Sequence, residues 1–335
     1  DIKLISQGAV PAIQLAHAGR KGSTPVIGKG VRGETLTAKN GGWDIVAPSA
    51  IAYNDDKSQV PKEATLEDIE VLQKAFVTAA IRAVKAGFEA IELHFAHGFL
   101  GSTWLSPLSN TRTDRYGGSL ENRMRFGLET AHRVRKVIPK ETPLLVRISV
   151  TDYDNGGWDV TQSVEFAKRL KAIGVDVVDC SSGGVFGNVD YGSLNTAEVQ
   201  HKAAATIQRE AGIPTAAVGN IVHPFQAEKL LQDNSATLIL IGRAFLNNPH
   251  WAYGAADVLA NPETFKYPEP YDWCIGAKQS SLLFSPVTIN GITLKNRIGV
   301  SPMVTWVSED GYVNDFQLAH YGSFAIGGVG LIVVE

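Results

Sequence analysis

Cysteine is nearly missing from this chain: Cys180 and Cys274 are the only two in 335 residues, far apart and without CxxC spacing. That excludes a disulfide framework, a zinc ribbon and a cysteine-ligated iron–sulfur cluster, and makes a reducing, cytoplasmic compartment the simplest reading. An excess of charge of one sign is missing as well. A formal net charge of −3 leaves no electrostatic footprint for nucleic acid, and no run of like charges suggests a membrane surface. No apolar run reaches membrane-spanning length, and no basic segment followed by an apolar one opens the chain. What is present is 44% hydrophobic and 19% charged residues. Such a chain buries a large core, as one α/β barrel or two smaller domains, and suits a small-molecule ligand.

Apolar runs of strand length alternate with amphipathic helical stretches throughout. Strands are predicted at Val10, Ala90, Leu144, Val175, Thr215 and Leu238, then at Ile298–Met303 and Leu331–Glu335. Helices are predicted from Thr65 to Gly87, from Ser119 to about Ile138, over Thr161–Ile173, near His201–Ala211, over Pro224–Leu231 and in Asp315–Ala325. Thr65-Leu-Glu-Asp68 supplies an N-cap and an acidic first turn. Alternation calls for a parallel sheet covered by helices, and eight strands are what a closed (β/α)8 TIM barrel needs, with residues 1–335 forming one domain. Asn290-Gly291 between β-branched runs signals a hairpin within 282–297, expected to plug the barrel floor just before the strand at Ile298. Residues 298–335 then hold the structurally first two strands although they come last in the chain, so the order looks rotated. Trp43–Pro48, inside a long loop rich in Gly, Asn and Pro, is expected to pair as a short hairpin. Asp1–Gly8 reads as the end of an amphipathic helix closed by a glycine, and neither chain end resembles a natural domain boundary.

The chemistry centres on Ile91-Glu-Leu-His-Phe-Ala-His-Gly-Phe99. With Ile91, Leu93 and Phe95 on one face, Glu92 and His94 take the other, and His97 follows where Gly98 breaks the strand. Two neutral imidazoles side by side suit an oxygen that gains negative charge. A histidine at a strand end is more often a hydrogen-bonded core residue, and a metal pair lacks a third ligand nearby. Other strand ends add weight. Gln14, Arg147, Ser181, Ser182, Gly219, Gly242, Arg243 and Ser301-Pro-Met303 all fall where a barrel builds its mouth. The last two turns, Val218-Gly-Asn220 and Ile241-Gly-Arg243, offer backbone amides and an arginine to an anion, though such glycines also serve tight turns.

Several motifs together are specific: Lys295-Asn-Arg-Ile298 with Ser301-Pro-Met303, Gln14-Leu-Ala-His-Ala-Gly-Arg20, His94-Phe-Ala-His-Gly-Phe99, Leu105-Ser-Pro-Leu-Ser-Asn-Thr-Arg-Thr-Asp-Arg-Tyr-Gly-Gly118 with Glu121-Asn-Arg123, and Ile241-Gly-Arg243. Through them the chain resembles the Old Yellow Enzymes, FMN-dependent ene-reductases, in their His-x-x-His subgroup. Family members begin with the hairpin that stands here at 282–297, so the resemblance implies a circular permutant with the old termini joined near 276–281. It also implies a loop and helix of about thirty residues between Glu335 and Asp1 in ring order, expected in flexible ends outside this sequence.

The resemblance further implies a non-covalent FMN and NADPH, or NADH, as hydride donor. Ser301, Pro302, Met303 and Val304 would line the flavin ring, Gln14 its pyrimidine edge and Arg147 its N1 side. Ser182, Gly183, Gly219, Gly242 and Arg243 would hold the phosphate. His94 and His97 would bind the oxygen of an activated alkene, an enone, enal, maleimide or nitroalkene, reduced in two half-reactions through the flavin, with Trp306 and Phe99 at the substrate pocket. The chain departs from the family twice: Phe99 stands where a tyrosine proton donor is usual, and Val304 where Cys or Thr flanks the flavin. Tyr271-Asp-Trp273 is the tail candidate for a homodimer contact. Two rival readings stay open: a non-flavin barrel lyase or isomerase acting on a phosphorylated substrate, and an FMN-binding protein without turnover.

Overall fold

The computed structural model describes residues 6–25, 34–36, 38–54, 58–187, 194–259, 281–308 and 311–335. After β1 (Val10–Leu15) comes an excursion carrying β2 (Val46–Ala47) and β3 (Lys62–Glu63), then α1 (Leu66–Lys85) and β4 (Ala90–Phe95). The chain continues through α2 (Leu100–Leu105), α3 (Leu120–Val137), β5 (Leu144–Ser149), α4 (Val160–Ala172), β6 (Val177–Ser181), α5 (Thr196–Ala211), β7 (Thr215–Ala217), α6 (Pro224–Gln232) and β8 (Leu238–Ile241). Next are α7 (Arg243–Asn247), α8 (Trp251–Val258), β9 (Val287–Ile289), β10 (Ile292–Leu294), β11 (Ile298–Val300), α9 (Asp315–Ile326) and β12 (Leu331–Val334).

Eight strands close into a parallel barrel in the order β1, β12, β11, β8, β7, β6, β5, β4. Ring closure falls at β1, which pairs with β12 through Val10–Ile13 and with β4 through Ala12–Leu15. Parallel strands need both faces covered, and the residues supply this by alternation. Ile91, Leu93 and Phe95 point outward into a cluster with Leu72 and Phe76 of α1. Ala12, Ala90, Leu145, Val177, Ala216, Leu240 and Val333 belong to a second cluster, which also contains Ile289 and Leu294 of the β9–β10 hairpin. The helices start where capping residues allow. Thr65 and Asp68 form a reciprocal capping box on α1, and Asn314 and Gln317 do the same on α9.

Two expectations need correction. Val46–Ala47 does not fold back as a hairpin: it pairs in parallel with Lys62–Glu63, a contact too short to leave a periodic signal. The helix expected near His201 begins at Thr196, where Asn195 accepts from the Glu198 amide. Ile241-Gly-Arg243 is a turn as expected, with Arg243 opening α7. The helix end proposed for Asp1–Gly8 falls largely on residues 1–5, and residues 276–280 of the junction, Tyr271–Trp273 and Cys274 also lie outside the described residues.

The segment entering the hairpin is tied to the barrel wall by Glu228 of α6, a buried carboxylate that accepts from the backbone amides of Leu282 (2.9 Å) and Leu283 (2.8 Å). Glu228→Ala leaves both donors without their partner, and a loss of about 2–4 kcal/mol is expected. Urea unfolding measures it; an unchanged midpoint would show that the segment is held by other contacts.

Candidate active site

The sheet register sets the interior of the mouth. It places Gln14 beside Glu92, His94 beside Arg147, and Arg147 beside Asp179. Beyond Phe95 the chain turns with His97 at φ +61° and Gly98 at φ +73°. A left-handed histidine costs on the order of 1–2 kcal/mol, so the surroundings must hold it. They do so at three points. The His97 amide donates to Ser149 Oγ (2.8 Å), Lys21 Nζ donates to the His97 carbonyl (2.8 Å), and ring Nε2 lies 2.6 Å from Ser181 Oγ. Gly98 is required here, because a Cβ would come within 1.9 Å of the Gly184 carbonyl oxygen.

This turn sets the two imidazole centroids 5.1 Å apart and nearly perpendicular, at 89°. His94 Nδ1 accepts from the Ala96 amide (3.2 Å), which leaves the ring proton on Nε2. When the Ser181 hydroxyl donates to His97 Nε2, that ring keeps its proton on Nδ1. Burial, then the cations Arg147 and Lys21, hold both histidines well below the usual imidazole range, with His94 adding to the effect on His97. The pair is therefore neutral at pH 7, two N–H donors with no charge of their own.

His94, His97, Phe99, Gln14, Arg147, Pro302, Val304 and Trp306 line one cavity of about 680 Å³, together with Glu335 of the β12 end and Gln317 of α9. A second cavity of about 190 Å³ shares Arg147 and Pro302 and is walled by Gly219, Gly242, Arg243, Ser301 and Met303. Ser182 and Gly183 lie on neither wall. Ser182 Oγ accepts from Tyr153 Oη (2.9 Å) and Gln200 Nε2 (2.8 Å), and Gly183 bonds to Thr151 and Ser149. The donor set suits an elongated ligand with a flat polar edge near Gln14 and Arg147 and an anionic end near Gly219, Gly242 and Arg243. Ser301 Oγ, buried and without a partner, waits on the same side.

Several contributors had no sequence signal. Lys21 lies 4.9 Å above the Phe99 ring and 4.6 Å from that of Tyr53, so the aromatic at 99 carries a cation on its face and a histidine, His94, at its edge (4.9 Å). Glu335 Oε1 accepts from the Thr305 amide (2.8 Å) and hydroxyl (2.9 Å). Conversely, the most specific run, Leu105–Gly118, lines neither cavity. Ser106 Oγ donates to Asp152 (2.6 Å), the Asn110 amide bridges the Trp104 and Tyr116 carbonyls (both 2.8 Å), and Arg112 reaches the Pro48 (2.9 Å) and Ala64 (2.6 Å) carbonyls. It is a bracket behind β4, not a reacting surface.

The model of the NADH:flavin oxidoreductase / NADH oxidase family matches residues 3–261. An NADPH dehydrogenase of Geobacillus thermodenitrificans (strain NG80-2) is 47% identical over 253 residues, 75% of this chain and 67% of that protein. One from Bacillus subtilis (strain 168) is 42% identical over 254 residues, 76% and 68%. Among solved structures, morphinone reductase matches with a TM-score of 0.58 and 26% identity, over 82% of this chain and 71% of that one. A 2-naphthoyl-CoA reductase shares the fold with a TM-score of 0.64 at 24% identity, over 82% of this chain but 43% of that longer one.

Nitrogen-15 spectra should show His94 and His97 neutral at pH 6, His94 as the Nε2–H tautomer; an imidazolium signal from either at that pH would contradict the geometry. The unfolded chain takes up protons below 6.5 that these buried rings refuse, so their contribution to stability falls as pH drops below that value.

Proposed function

The chain belongs to the NADH:flavin oxidoreductase / NADH oxidase family, and on that premise we propose that it is an FMN-dependent NADPH dehydrogenase that reduces activated C=C bonds. The supporting observation is the neutral histidine pair on the wall of the larger cavity, with Arg147 and Gln14 on that same wall. Bound FMN would supply the redox chemistry, accepting two electrons and a proton equivalent from NADPH, or NADH, and passing them to the alkene. Arg147 would meet its N1 side, Gln14 its pyrimidine edge, Pro302 and Met303 its ring, and Gly219, Gly242 and Arg243 its phosphate.

His94 and His97 would donate to the carbonyl or nitro oxygen of an enone, enal, maleimide or nitroalkene. Their hydrogen bonds strengthen as that oxygen becomes anionic, and because the rings are already neutral donors no reorganisation is needed. Phe99 has no proton to give, so the α-carbon would be protonated from solvent at the open mouth, where Val304 and Trp306 are half exposed. Membership of a flavin-using family speaks against a non-flavin lyase or isomerase, and the Lys21 ammonium is already committed to the His97 carbonyl.

We further propose that the chain order is rotated relative to the curated relatives and that the β9–β10 hairpin closes the barrel floor. The family match ends at 261 while β11 and β12 complete the ring, and Ile289 and Leu294 cluster with the inward residues of seven strands. Residues 282–335 taken alone should align with the amino-terminal part of those relatives; failure to align there overturns the rotation.

Purified protein should be yellow, bleach with NADPH and recover colour with an enone or nitroalkene. His94→Ala and His97→Ala should each slow the alkene-driven recovery by about 10²-fold or more, and Phe99→Tyr should speed it about tenfold or more. Protein that takes up no FMN overturns the proposal. Bleaching without alkene-dependent recovery would identify a flavin-binding protein without turnover.

A further inference from the structure

Beneath the mouth, the barrel encloses two carboxylates and one guanidinium. Glu92 and Asp179 are wholly buried, and Arg147 is nearly so. Arg147 Nε lies 3.1 Å from Asp179 Oδ2, an ion pair by distance whose angle is too poor for a hydrogen bond. Glu92 is contacted by a neutral donor, with Gln14 Nε2 donating to Oε1 at 2.7 Å. Glu92 Oε2 and both Asp179 oxygens have no hydrogen-bond partner. Three orphan carboxylate oxygens around one cation is an expensive arrangement if both acids are ionised.

We propose that Glu92 is a neutral carboxylic acid in the folded protein and a positioning residue for the mouth. Its carbonyl oxygen, Oε1, takes the Gln14 N–H and so orients the Gln14 carboxamide, and its O–H makes Oε2 a donor, leaving the Arg147 charge to be balanced by Asp179 alone. The consequence is chemical. Arg147 and Gln14 both line the larger cavity, so the protonation of Glu92 sets whether the ligand edge there meets a net neutral or a net negative group. The part that concerns FMN rests on the flavin reading; the protonation of Glu92 does not.

The surroundings agree. The groups that face Glu92 are Gln14 on β1, His94 on its own strand, Arg147 on β5 and Asp179 on β6. The inward residues of the remaining strands at this depth are Ala216, Leu240, Gly299 and Val333, none titratable, with Ser301, Glu335 and Lys21 higher, at the mouth. Burial first, then the charge of Asp179, pushes the Glu92 carboxyl up to about 8, against the opposing pull of Arg147 and Gln14. Burial also raises Asp179, with Arg147 acting in the opposite sense. The folded chain thus holds a proton that the unfolded carboxyl releases near 4.5. The stabilising contribution is complete below that pH and is lost as pH rises through about 8.

Infrared difference spectroscopy of wild type against Glu92→Gln, on the flavin-free protein, tests the proton directly. The carbonyl stretch of a neutral carboxylic acid is expected at pH 6, lost on titration through about 8 and missing from Glu92→Gln; its absence from wild type at pH 6 overturns the proposal. Asp179→Asn gives a second readout that needs no loss of Glu92. Glu92 is then the sole partner for Arg147, and the band should vanish at pH 7; persistence would show that Asp179 does not govern the proton. Flavin titration separates the two readings. If FMN binds, its dissociation constant should rise severalfold between pH 7 and 9 in wild type and stay level in Glu92→Gln, whose amide keeps the charge of the acid. A parallel rise in both overturns the positioning role. If FMN does not bind at all, the flavin reading fails while the infrared band still decides the state of Glu92.

Discussion

Ring closure at β1 is the constraint on which the rest of the molecule depends. That strand joins β12, from the carboxyl-terminal stretch, to β4, so hydrogen bonds run from both of its edges and no strand of the barrel is left as an edge. A closed sheet has no free register: a slip of one residue at any pair would turn every inward side chain outward. Closure therefore decides which residues see the interior, and alternation along each strand does the sorting. On β1, β4, β5 and β6 the first inward positions, Val10, Ala90, Leu145 and Val177, are apolar and cluster with Ile289 and Leu294 of the hairpin, while Gln14, Glu92, His94, Arg147 and Asp179 follow toward the carboxyl ends.

The two levels have opposed energetics. The apolar level and the outer cluster carry the stability, through area removed from water. The polar level draws on it, since buried charges and a left-handed His97 are tolerated only when their surroundings over-determine them. That division explains where the most distinctive residues went. Arg112, Asn110 and Ser106 satisfy backbone carbonyls and a buried aspartate, and line neither cavity themselves. Arg20 does similar work from the β1 side, donating to the carbonyls of Ile51, Ala52 and Val185. A specific motif need not be a reacting one.

Legibility in the sequence followed the length over which a pattern repeats. The long helices and the apolar strands showed themselves through periodicity and caps, and Asn290-Gly291 announced a tight turn at its true place. Pairing of two-residue strands did not, because Val46–Ala47 and Lys62–Glu63 are too short for alternation and their partnership is set by what the excursion packs against. Within the mouth, Gln14, Arg147 and His94 could be placed from strand parity alone, whereas His97 reaches the same space only through the left-handed turn beyond β4. Lys21 could not: it stands in a turn after β1, and only the fold brings its ammonium over Phe99 and against the His97 carbonyl. Ser182 and Gly183, at a strand end like the others, are taken up instead by hydrogen bonds to Ser149, Thr151 and Tyr153 at the end of β5 and to Gln200 of α5.

By itself, then, the sequence determined the class of fold, the number of strands and the residue types at their mouths, since these follow from local periodicity and from which side of a strand a residue takes. Tertiary structure alone decided the state of those residues. The Ala96 amide decides which nitrogen of His94 carries the proton; burial first, then Arg147 and Lys21 arriving from two other segments, keeps the pair neutral; and burial, then Asp179 two strands away around the ring, raises the Glu92 carboxyl. Protonation is set by burial and by charges near in space, and neither is written in the order of neighbours along the chain.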